Sequence, residues 1–114
     1  MTESILTSIK KLLGIDEAYT AFDQDIIIHI NAVLSILVQM GVGLSGVYVE
    51  DKTKIWGDFI PDIAVDYGQI KSYVYLKVKL LFDPPLSAAA LESINRMITE
   101  FEFRLNAQFD TSGG

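Results

Sequence analysis

The sequence predicts a mainly α fold: a small bundle of about four helices with a long loop or short hairpin between helices 2 and 3. Three observations lead there. Apolar residues recur at three- and four-residue steps through 26–38 and again through 91–105. A glycine followed by an aliphatic residue, a common helix stop, occurs at Gly14-Ile15 and at Gly41-Val42. Asp83-Pro84-Pro85 breaks the second half, because proline disfavours the helical region for the residue before it.

The first helix is expected over 3–13, with Thr2 as N-cap, Glu3 at the positive end of the dipole and Lys10 and Lys11 at the negative end. Its apolar positions are Ile5, Ile9, Leu12 and Leu13. The second helix is expected over 23–40 with Asp23 as cap, its wide apolar face made by Ile26, Ile27, Ile30, Val33, Leu34, Leu37 and Val38. Residues 41–68 are punctuated by Gly41, Gly43, Gly46, Gly57 and Gly68, and Pro61 opposes a long helix there. Val47-Tyr48-Val49 and Thr53-Lys54-Ile55-Trp56 flank a polar turn, so the stretch reads as a short hairpin or an extended, structured loop arm.

Residues 70–82 fit two periods. Val74, Leu76, Val78 and Leu80 alternate with Tyr73, Tyr75, Lys77 and Lys79 as in a strand, while Ile70, Tyr73, Val74, Lys77 and Leu81 fit a helix apolar on most sides. Pattern alone favours helix only slightly. After the prolines, Ser87 is a cap for a final helix to 108, with a heptad-like seam of Leu91, Ile94, Ile98, Phe101 and Leu105 and a Glu100–Arg104 pair one turn apart. A single domain is expected over 1–109, followed by a polar, glycine-rich tail over 110–114 that frays.

Composition narrows function. The formal net charge is −6, which repels a phosphate backbone and disfavours broad nucleic-acid binding. There is no cysteine and a single histidine, so disulfides, thiolate zinc sites, cysteine nucleophiles and multi-histidine metal sites are excluded. The early Glu3, with Lys10 and Lys11 only after it, is the wrong order for a secretory signal. The longest apolar stretch, 26–40, is interrupted by His29, Asn31, Ser35 and Gln39 and reads as a buried helix, not a membrane span. Half of the residues are hydrophobic, an apolar balance that leaves surface for partners.

Candidate chemistry is sparse. His29 lacks a nucleophile or a dedicated carboxylate partner and reads as a structural histidine. Asp58, Asp62 and Asp66 lack the alternating oxygen ligands and glycine of a calcium loop and read as caps or solvated charges. No glycine loop of the phosphate-cradling kind appears. Lys71, Lys77 and Lys79, with Tyr73 and Tyr75 between them, form the one basic and aromatic stretch, and they support an alternative reading as a small helical nucleic-acid-binding regulator. No cofactor is expected, and without a nucleophile–base pair the chain is not read as an enzyme. The aromatics point instead to protein interfaces: Trp56 and Phe59 in the loop arm, and Phe103 and Phe109 in the last helix, with Phe103 off the seam.

Three stretches then resemble one family together. Leu13-Gly14-Ile15 followed by Phe22-Asp23-Gln24-Asp25-Ile26-Ile27 and Ile30-Asn31-Ala32-Val33 resembles the opening of the head-tail connector (adaptor) proteins of tailed bacteriophages. Thr53-Lys54-Ile55-Trp56-Gly57-Asp58-Phe59 resembles their central tryptophan loop. The run from Tyr75 to Pro85 and the run from Glu100 to Asn106 resemble their closing half, with Phe103 where many relatives carry tryptophan. The resemblance implies a helical bundle, and so a helix over 70–82. It also implies a structural virion protein, made in the bacterial host cytoplasm, that assembles as a homo-oligomeric ring under the portal protein. Such a ring joins the DNA-filled head to the tail-side stopper protein, and DNA passes its channel without specific binding. Because Trp56, Tyr75, Phe103 and Phe109 are more than one small core needs, the loop arm and closing helix are expected to carry axial contacts, and the apolar flank of 73–80 to pack neighbours. The expected interface residues are Trp56, Phe59, Tyr73, Tyr75, Leu76, Val78, Phe103 and Phe109.

Overall fold

The computed structural model describes residues 2–61 and 67–109, the side chain of residue 109 excepted. Four long helices and one short one follow in order: α1 (Ile5–Leu13), α2 (Asp23–Gln39), α3 (Trp56–Phe59), α4 (Tyr67–Phe82) and α5 (Ala88–Phe109). No strand forms among the described residues, and the one bridge, Ser4 with Ile55, is isolated. The expected bundle is therefore present, and the described part of the linker between the second and third long helices, residues 40–61, is a loop with a single helical turn and no hairpin.

Local chemistry sets the ends. Ser4, not Thr2, caps α1, its hydroxyl accepting from the Thr7 N–H at 3.2 Å. Thr2 lies too early because 3–5 pair with the returning loop: the Ile5 N–H donates to the Lys54 carbonyl at 2.9 Å and the Trp56 N–H to the Glu3 carbonyl at 3.1 Å. At the other end Gly14 adopts φ 81°, and the Ile15 N–H reaches back to the Lys10 carbonyl at 2.9 Å, a Schellman stop. Gly41 and Val42 repeat it after α2, with Val42 donating to Leu37 at 2.8 Å. Asp23 opens α2 as its first residue and does not cap it. The Ser87 hydroxyl accepts from the Ala90 N–H at 3.3 Å, as its position before α5 predicts.

Helix α4 is the hub, touching α1, α2 and α5. That position explains its sequence. Ile70, Tyr73, Val74, Leu76 and Val78 are all buried although they point around the helix axis, since neighbours cover several sides at once. The strand-like alternation is a by-product of that all-round burial. Leu34 on α2 and Ile98 on α5 join the same core, as their spacing predicts.

The loop over 41–61 wraps the core instead of leaving it. Val42, Val49, Trp56, Phe59 and Ile60 are buried. Asn31 on α2 grips the middle of the loop, its amide nitrogen donating to the Val49 carbonyl at 2.9 Å and its oxygen accepting from the Val49 N–H at 2.8 Å. In effect one side chain supplies what a neighbouring strand would. Gly43, at φ +80°, lets Phe59 close over the backbone: a Cβ there would stand 2.3 Å from Phe59 Cζ. The Leu44 N–H then meets the Phe59 carbonyl at 2.9 Å and completes the closure.

Candidate assembly surface

The burial that builds the core removes five expected interface residues from the surface. Trp56, Phe59, Tyr73 and Val78 are fully covered within the subunit and Leu76 is nearly so. Trp56 sits under α1, its indole N–H donating to the Ser8 hydroxyl at 2.9 Å, and that hydroxyl donates in turn to the Ile5 carbonyl at 3.0 Å. These side chains belong to the core of the folded chain, so the loop arm expected to carry axial contacts holds Trp56 and Phe59 inward. Tyr75 is half-buried. Phe103 is 75% exposed and does lie off the α5 seam. Phe109 ends α5, and its side chain lies outside the described residues, as do Asp62, Asp66 and the 110–114 tail.

Two apolar regions at the surface stand out among the described residues. The first lies where the end of α1, the start of α2 and the end of α4 meet. Phe22 packs edge-on against Phe82 with ring centroids 5.4 Å apart, and Tyr19 leans on Phe22 at 5.6 Å. With Leu13, Ile15 and Leu81, Phe22 and Phe82 floor an open cleft that Asp25, His29 and Asp83 rim. Spacing alone did not reveal this cleft, because Tyr19 and Phe22 lie in a non-helical link whose path no periodicity marks.

A buried lysine sets that path. Lys10 is 2% exposed. Its ammonium donates to the Glu17 carbonyl at 3.0 Å and the Tyr19 carbonyl at 2.7 Å, and pairs with the Asp23 carboxylate at 2.8 Å. An ammonium has three donors, and here three oxygens face it. Lys10 thus does more than complement the dipole at the end of α1. Its phase with Leu6 and Leu13, four before and three after, puts it on the buried side of α1 and was the available signal.

The second region is α5. The short 83–87 link makes α4 and α5 antiparallel neighbours. The Tyr73 hydroxyl donates to Glu102 at 2.8 Å and fixes their register. Tyr73 lies nine residues before the end of α4, whereas Glu102 lies fourteen after the start of α5. About five residues of α5, roughly 7 Å of helix, therefore overhang the end of α4. Burial agrees: Ile98 and Leu105 are buried, but Leu86, Ala88, Ala89, Ala90 and Leu91 are exposed. Only the latter part of the predicted seam is covered by this chain.

Burial, reinforced by the Glu102 carboxylate, pushes the Tyr73 hydroxyl well above its ordinary value of 10.0. The folded state thus keeps a proton that the unfolded state releases above about pH 10, and the fold loses stability as pH rises beyond that point, by about 1.4 kcal/mol per pH unit from this group. Below pH 10 the contribution is fully present. Urea midpoints between about pH 8 and 11 should fall more steeply for the parent than for Tyr73→Phe. Equal slopes would place the tyrosine in water.

The other chemical candidates disperse. Lys71 pairs with Glu3 at 3.2 Å and Lys79 with Asp83 at 3.4 Å. Six residues of helix carry Lys77 to a different side of α4 from Lys71, so the three lysines form no stripe. Asp58 accepts from the Ile55 N–H at 3.0 Å and caps α3. Among the described residues, no group of three or more histidine and acidic side chains is placed to hold a metal ion. No described helix is long and apolar enough to cross a membrane.

Apolar surface such as the cleft and the α5 overhang is of the kind that contacts other proteins. Comparison with known proteins agrees in kind: the family model described as phage connector protein matches residues 5–112. No curated protein and no solved structure matched. The matched span takes in all five helices, the Trp56 loop and the α5 overhang, and this chain belongs to the phage connector protein family, structural proteins of the virion's head-tail junction.

Proposed function

We propose that this protein is a head-tail connector, or adaptor, that closes with copies of itself into a ring under the portal and links the DNA-filled head to the tail-side stopper. The observation that carries the reading is the family match over nearly the whole chain. The surface supports it: a subunit with one small core keeps an apolar cleft at one end and an uncovered helix overhang, both unusual for a chain that works alone. Heterologous contacts between unlike patches are what generate a closed ring. The net charge of −6 suits a channel through which DNA slides without sticking.

Of the aromatic anchors expected from the sequence, Phe103 is the one the fold presents openly, and we assign it, with Phe109, to axial contact with the portal. Replacing both with serine should leave the helical content intact and reduce retention on portal-bearing heads about 30-fold, the effect of losing about 2 kcal/mol at a hot spot. Undiminished incorporation of the double variant into virions would remove these residues from the portal contact.

A further inference from the structure

The outer face of α5 carries Glu92, Arg96, Glu100 and Arg104, charges that alternate in sign at every fourth residue. Within the helix they pair as Glu92–Arg96, at 3.2 Å, and Glu100–Arg104, and all four side chains are more than half exposed. Phe103 stands among them, beside a shallow groove shared with Asn95 and Thr99. Intrahelical pairing accounts for the ladder on a solvated helix. It does not account for a large aromatic in its midst.

The row is also its own complement when reversed about residue 98. Reversal sets Glu92 opposite Arg104 and Arg96 opposite Glu100, and it sets Phe103 opposite the small Ser93. Towards the ends Ala89 meets Ala107, so two helices could approach closely there. Other alignments do worse. A parallel pair in register opposes like charges, a parallel pair staggered by one turn leaves an unmatched charge at each end, and an antiparallel pair centred on Arg96 opposes Glu92 with Glu100.

We propose that the free protein associates with a second copy of itself through this face, the two α5 helices lying antiparallel about residue 98. The contact is isologous, so it closes on itself and does not propagate. Such a pair is a resting form distinct from a ring, and it stands or falls independently of the ring reading.

Sedimentation of the purified full chain, with no portal present, tests this by charge exchange. The parent should approach twice its 12.7 kDa mass as concentration rises. R96E and E100R should each weaken self-association about tenfold or more by opposing like charges. An equimolar mixture of the two should regain the parent's dimerisation, because each copy then supplies the charge the other lacks, and the R96E/E100R double variant should do so alone. A parent that stays monomeric or forms larger species, single variants that dimerise like the parent, or a mixture that fails to recover would each overturn the proposal.

Discussion

Trp56→Ala should be among the most damaging single substitutions in the chain, costing about 3–5 kcal/mol. The side chain is large and fully buried beneath α1, so truncation leaves a cavity that the loop cannot collapse into while Asn31 and the Phe59–Gly43 contact hold it from both sides. It also strips the Ser8 hydroxyl of its donor. Set against the roughly 5–15 kcal/mol by which domains of this kind are stable, the loss is at least about a fifth of the total. Trp56→Phe should cost less, since it keeps most of the volume and gives up chiefly the hydrogen bond. Chemical denaturation of the three proteins checks the order. An alanine variant within about 0.5 kcal/mol of the parent would mean that the loop carries Trp56 outside the core.

Lys10→Met should cost about 3 kcal/mol, because it leaves the Asp23 carboxylate and the carbonyls of Glu17 and Tyr19 facing one another without a cation. The value sits at the lower end for a broken buried pair because Asp23 is 21% exposed and can recruit water. Removing the carboxylate as well should recover part of the loss, so Lys10→Met/Asp23→Asn should be more stable than Lys10→Met alone. A double variant as unstable as the sum of the two single changes would show that the pair is not coupled. The same lysine holds 17–19, so amide exchange across 14–22 should quicken in Lys10→Met while the middle of α2 stays protected. The cleft that Phe22 lines would loosen with it, since Tyr19 backs the Phe22 ring.

The contrast between these two residues shows what the sequence displayed and what it hid. Stop signals that act locally were plain: Gly14 and Gly41 end their helices through backbone geometry that depends on the next residue alone, and Ser87 caps α5 where the Pro-Pro break requires a restart. Periodicity worked where a helix has one wet side, as in α2, and blurred in α4, where three neighbours erase the difference between faces. Long-range pairings left little local trace. Asn31 meets Val49 eighteen residues on, and Trp56 meets Ser8 across forty-eight. An aromatic in a glycine-rich loop therefore looked like an exposed anchor when it is the plug of the core. Phe103 was legible for the opposite reason: its position depends only on the turn of its own helix, and that turn carries it away from Ile98 and Leu105.

The measurement closest to the proposed role is the mass of the complex formed when the purified chain is mixed with the portal ring of its own virion, recorded by native mass spectrometry over a range of salt concentrations. A connector that closes beneath the portal should add many copies of the 12.7 kDa chain as one discrete, saturating species. A portal that keeps its own mass at every salt concentration, with the chain left free in solution, would contradict the connector assignment.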